Sequence, residues 1–166
     1  LQNDSTIFTF SIHGENNFPF TKEVSDLDIG LSNECTDDIY LQSLHHGLEI
    51  IDEQFRPEFI IYLAGADPHE GDRLGKLKIS KNGMRLRDEC VFQYGADRQI
   101  PIAFSMAGGY GKEITTTVDI HLPIADDRQC AHNNSLTPLK QFFRHARSIP
   151  SIDAHRRLAL RKMFYK

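Results

Sequence analysis

The chain has 166 residues, 40% of them hydrophobic and 25% charged, which is enough for one domain with a sizeable core. No uninterrupted apolar run approaches the roughly 18 residues of a membrane span, and no basic-then-apolar N-terminus marks a signal peptide. The net charge of −4 hides an uneven distribution: Lys140 to Lys166 holds eight Lys and Arg against the single acid Asp153, net +7, and the rest carries −11. An acidic body with a basic tail reads as two segments of different character. Cys35, Cys90 and Cys130 are far apart and form no CxxC, so neither a zinc knuckle nor a disulfide framework is expected, and reduced thiols fit a cytoplasmic setting. Leu1 is not Met, so the chain is expected to begin inside a longer product or to have been processed.

In chain order, "TIFTFSIH" (6–13) is β-branched and aromatic and predicts a strand. "GENNFPF" (14–20) is a loop, broken by Gly14 and Pro19, and residues 21–36 read as polar and irregular. From Asp37 to Phe55, Tyr40, Leu44, Leu48, Ile51 and Phe55 recur every three or four residues, one face of a helix. Thr36 can cap it, and Asp37 and Asp38 suit its positive first turn. "EFIIYLAG" (58–65) is a continuous apolar run, expected of a strand covered on both faces. A loop over 66–79 leads to a helix opened by Ser80 and running to about Gln99, with Met84, Val91 and Tyr94 facing inward. "IAFSM" (102–106) predicts the next buried strand, "AGGYG" (107–111) a tight loop, and a helix follows from about Glu113. Helix-length connections between strands imply parallel pairing, so the fold class is α/β with an open, mostly parallel sheet flanked by helices.

Open parallel sheets put function on the loops leaving the carboxyl ends of their strands. Two buried strands here run straight into small-residue turns, Ala64-Gly65-Ala66-Asp67 and Ala107-Gly108-Gly109-Tyr110, each ending in one chemically capable side chain. Parallel strands bring Asp67 and Tyr110 to the same sheet edge, and the small residues, Gly108 and Gly109 among them, let backbone approach a ligand closely. A carboxylate can bind a metal, and a phenol can donate to a developing oxyanion. That pairing suits metal-assisted amide hydrolysis. Equally, Asp67 could cap the next turn and Tyr110 could simply pack.

"FTFSIHGENNFPF", "SDLDIGL", "YLAGADPHEGDRLG" and "AGGY", in this order, resemble the zinc-dependent histone deacetylase family, in particular its class IV and bacterial deacetylase-like members. The resemblance covers roughly residues 1–121 and leaves 122–166 as an unmatched basic tail. It implies an arginase-like, three-layer α/β fold, incomplete at the N-terminus, and hydrolytic removal of an acyl group from an acyl-lysine peptide or acyl-polyamine. It implies that Asp67 is a zinc ligand and that Tyr110 polarises the scissile carbonyl. Phe18 and Leu74 would line the acyl tunnel. Ser11, through its side chain, and Ile12, through a neighbouring carbonyl, would hold a structural potassium ion. The family's other zinc ligands, in a D-x-H loop, and its paired proton-transfer histidines belong upstream of Leu1. The chain is therefore expected to resemble a C-terminal half, inactive alone.

Other polar residues invite functional labels. Asp119-Ile120-His121 imitates D-x-H but is expected at the end of a surface element. His45 and His46 are expected to be an exposed helical pair, His13 to bond locally, and His69 and Glu70 to be solvated loop residues. Asp72 is expected to tie its loop to backbone amides. The basic tail is expected to be a solvated extension, without a specific nucleic-acid or membrane partner. Two further functional readings stand beside the deacylase: a non-catalytic fragment or pseudo-enzyme needing a partner segment, and an arginase-like ureohydrolase. The last requires carboxylate pairs of D-x-D type, and none accompanies Asp67.

Overall fold

A computed structural model of the chain describes residues 4–125 and 158–161. Among the described residues the sheet has five strands, all paired parallel, in the order β2-β1-β5-β3-β4. The elements are β1 (Ile7–Gly14), β2 (Leu27–Leu31), α1 (Asp37–Gln54), β3 (Ile60–Ala64), α2 (Lys81–Asp97), β4 (Ile102–Met106), α3 (Ile114–Ala125) and β5 (Leu158–Arg161).

Register places Phe8, Phe10, Ile60, Tyr62, Ile102 and Phe104 on one face. The apolar stripe of α1 covers that face with Tyr40, Leu44, Leu48 and Ile51 all buried. Gly47 allows a close approach: a Cβ there would stand 2.4 Å from the Phe10 ring. Further along, Phe92 of α2 meets Tyr62 and Phe104 edge-to-face at 5.9 and 5.6 Å between centroids. On the opposite face, Ile61 and Leu63 of β3 are only partly buried.

Capping differs from expectation at one helix and agrees at the other. Thr36 is the N-cap of α1 by backbone conformation, yet its side chain accepts no capping bond. Ser80 caps α2 by accepting from the Gly83 N–H at 3.0 Å. Asp37, expected to serve its own helix, reaches across to Ser80 instead, accepting from its N–H at 2.8 Å and its hydroxyl at 2.5 Å. The start of α2 is thereby fastened to the start of α1.

Two strands escape the sequence reading. Residues 21–36 contain β2, whose run "LDIGL" alternates apolar with polar or small residues along the sheet's edge but is only five residues long. The basic tail contains β5, a four-residue run paired between β1 and β3. Residues 126–157 and 162–166 of that tail lie outside the described residues. The strand "IAFSM", expected to be buried, is β4 at the opposite edge, with Ser105 and Met106 exposed. No helix among the described residues is long and apolar enough to cross a membrane.

Candidate active site

β3 and β4 are adjacent and parallel, in register from Ile60↔Ile102 to Ala64↔Met106. Asp67 and Tyr110 therefore leave the same edge of the sheet, three and four residues beyond the last pair. Two neighbouring turns after these strands are stitched together by backbone. The Ala66 N–H donates to the Gly108 carbonyl at 2.6 Å, Arg73 N–H to the Tyr110 carbonyl at 3.1 Å, and Lys112 N–H to Gly71 at 3.2 Å. Gly109 adopts φ +156°, and a Cβ on it would lie 2.7 Å from that of Ala66. The two turns touch where that glycine sits, so a larger residue has no room.

Asp72 organises the same junction, as expected of it. One carboxylate oxygen accepts from the Leu74 and Gly75 N–H groups at 2.8 and 2.7 Å, and the other accepts from the Tyr110 N–H. A buried carboxylate with three backbone donors is a satisfied structural anion, and it binds the tyrosine turn to the loop that carries Asp67. Leu74 and Tyr110 remain exposed at this edge. Phe18 is also exposed. Its loop is joined to the others through Asn17, whose side-chain carbonyl accepts from the Lys76 N–H at 3.0 Å.

Asp67 itself is crowded. Burial pushes its carboxyl up to about 6, and the positive charge of Arg87 pulls in the opposite direction. Its Oδ1 occupies the space beside Gly65, where a Cβ would come within 2.4 Å. Only glycine at 65 lets the carboxylate fold back over the strand end.

Two expectations, for His69 and His121, need correction, and those for Glu70, His45, His46 and His13 hold. His69 is buried rather than solvated, and its Nδ1 accepts from the Gly71 N–H at 3.0 Å, which braces the loop after Asp67. Burial holds its pKa below the usual histidine value. Glu70 is exposed. His121 lies on the buried side of α3 beside Ile120, not at a surface end, and burial lowers its pKa too. His45 and His46 are exposed on α1, and His13 bonds locally to the Ser11 hydroxyl at 2.8 Å.

The sequence reading missed Arg87 and Asp88. Arg87 is fully buried, and it donates from Nε to Asp88 Oδ1 at 2.9 Å and from Nη1 to the Gly65 carbonyl at 2.6 Å. The Tyr62 hydroxyl donates to the same Asp88 oxygen. Burial alone would lower the Arg87 pKa, but the negative charge of Asp88 reverses this and keeps the guanidinium charged. The available signal was positional: Arg87 falls between Met84 and Val91 on the inward stripe of α2.

These features define an open parallel α/β domain with Asp67 and Tyr110 on the turns that leave the carboxyl ends of two adjacent strands. A family model described as the histone deacetylase domain matches residues 1–122, and the chain belongs to that family. It is 45% identical over 121 residues to an uncharacterized protein of Picosynechococcus, covering 73% of this chain and 40% of the relative. It is 35% identical over 115 residues to histone deacetylase 2 of Arabidopsis thaliana, covering 68% of this chain and 30% of that protein. The chain thus spans well under half the length of these relatives. Among solved structures it resembles an HDAC homolog from Aquifex aeolicus, with TM-score 0.60 and 22% identity over 79% of this chain and 36% of that one. It also resembles the acetylpolyamine aminohydrolase of Burkholderia pseudomallei, with TM-score 0.54 and 16% identity over 69% of this chain and 36% of that one. At those identities the likeness shows the fold alone.

Proposed function

We propose that this chain is part of a zinc-dependent deacylase that hydrolyses the amide of acyl-lysine peptides or acyl-polyamines. The observation that carries the reading is the joined pair of strand-end turns, with Asp67 on one and Tyr110 on the other, locked together by Asp72. Family membership supports deacetylase-type hydrolysis. The Burkholderia neighbour acts on acetylpolyamines by its name, and another HDAC homolog of similar fold was crystallised with SAHA.

In this reading Asp67 is a metal ligand, and the Tyr110 hydroxyl donates to the carbonyl oxygen as negative charge gathers there. Gly108 and Gly109 keep the tyrosine turn slim where substrate backbone would pass, and Phe18 and Leu74 form apolar walls for the acyl chain. A partly exposed apolar wall beside a strand-end carboxylate suits a substrate with an apolar stem and one amide to cleave.

The described residues do not complete a zinc centre. A catalytic zinc takes about three protein ligands, and no group of three or more His, Cys, Asp or Glu among the described residues could hold a metal ion. Asp67 fits one ligand position only. Likewise, in the roles proposed for them the Ser11 hydroxyl and the Ile12 carbonyl give two oxygens toward a potassium ion, and the Ser11 hydroxyl also bonds His13. The chain alone is therefore expected to bind zinc weakly and to show no measurable turnover. Calorimetric titration with zinc, run alongside an acetyl-lysine peptide assay, checks this. Tight one-to-one binding with turnover would remove the reading of an incomplete centre.

A further inference from the structure

We propose that Arg87 is a positioning residue for Asp67: from α2 it grips the Gly65 carbonyl and so fixes where the strand-end carboxylate sits. The first observation is the cost of the arrangement. A guanidinium taken wholly out of water is stabilised only by good geometry, and an apolar pair of similar size often serves stability as well or better. This one is fully buried, and it contacts β3 and the glycine that follows it. Its Nη1 bonds Gly65 at 2.6 Å, and its guanidinium carbon lies 5.9 Å from the centre of the Tyr62 ring.

The second observation is what Gly65 controls. Asp67 Oδ1 lies directly against it, in the volume a Cβ would need. A displacement of the Gly65 peptide therefore moves the carboxylate with it. The Ala66 N–H, one residue on, holds the Gly108 carbonyl, so the same displacement reaches the tyrosine turn.

The third is that the clamp is itself oriented. Asp88 accepts from Arg87 Nε and from the Tyr62 hydroxyl, which fixes the plane of the guanidinium. Nη2 lies 2.7 Å from the same Asp88 oxygen. Two directional contacts at once, to a carboxylate and to a carbonyl, need the rigid fork of arginine; a lysine ammonium cannot reproduce both. α2 is in turn anchored to α1 through Asp37 and Ser80, so the clamp has a fixed base. The consequence for catalysis rests on the deacylase reading. The positioning itself does not.

Amide hydrogen exchange on the whole 166-residue chain, without metal or substrate, therefore tests the clamp separately from the activity. Two variants are needed. Arg87→Lys keeps the charge but not the fork. The triple variant Tyr62→Phe, Arg87→Met, Asp88→Leu makes the side-chain network apolar, so that no charge is left buried and unpaired and only the Gly65 carbonyl, the contact under test, loses its donor. In both, exchange at Ala66 and His69 is expected to rise about tenfold or more relative to α1 and β1, with the melting temperature of the triple variant little changed. Unchanged exchange at Ala66 and His69 in Arg87→Lys would overturn the proposal. So would a uniform rise across the core, which marks a purely structural role. If the triple variant does not fold, the Arg87→Lys comparison decides alone.

Discussion

Tyr110→Phe is expected to lower turnover about 100- to 1,000-fold while leaving KM within a few-fold, the usual cost of losing one donor to a developing oxyanion. The protein for this experiment is a chimera, with this whole chain joined behind the N-terminal part of the Picosynechococcus relative, to which it is 45% identical over 121 residues. The split between turnover and KM follows from where the charge is. The ground-state amide carbonyl is a modest acceptor, and the tetrahedral intermediate is an anion. A donor aimed at that oxygen therefore acts mainly on the barrier. The Tyr110 backbone is held by Asp72 and Arg73, and its side chain is exposed, so removing the hydroxyl should leave the turn in place. Steady-state kinetics on an acetyl-lysine peptide measures both constants. Near-normal turnover would return Tyr110 to a packing role.

Asp67→Ala in the same chimera should behave differently. It is expected to purify with most of its zinc gone, because a first ligand cannot be removed from a three-ligand site without a large loss of affinity. Activity should fall to background, and added zinc should restore little. Folding should survive, since Asp72 rather than Asp67 supplies the three backbone bonds that hold the loops. Metal analysis of the purified proteins separates the two variants: Tyr110→Phe keeps its zinc, and Asp67→Ala does not. Full zinc in Asp67→Ala would make the residue a turn cap.

The contrast between these two residues and Arg87 shows what a sequence can convey. Asp67 and Tyr110 were legible because each ends an apolar run, and parallel pairing alone sends both to one edge. α1 and α2 were legible because an apolar stripe at three- and four-residue spacing has few other readings. β2 was not, because its alternation of Leu27, Ile29 and Leu31 with Asp28 and Gly30 spans only five residues in an otherwise polar stretch. β5 was not, because four residues among basic neighbours carry too little pattern, and their place between β1 and β3 is a matter of pairing rather than composition. Arg87 and Asp88 looked like ordinary helical charges. Their burial depends on partners 22 and 26 residues away, Gly65 and Tyr62, which no local spacing announces. His69 was misjudged for a related reason: a polar residue in a loop is usually solvated, and this one folds inward to brace Gly71.

A crystal structure of the zinc-loaded chimera tests the central claim most directly, since it locates the metal against Asp67 and Tyr110 together. The account predicts one zinc ion with an Asp67 oxygen about 2.0–2.2 Å away, and the Tyr110 side chain on the same side of the metal as the open coordination position. A zinc ion bound elsewhere, with Asp67 hydrogen-bonded only to its own turn and Tyr110 directed away from the metal, would contradict it.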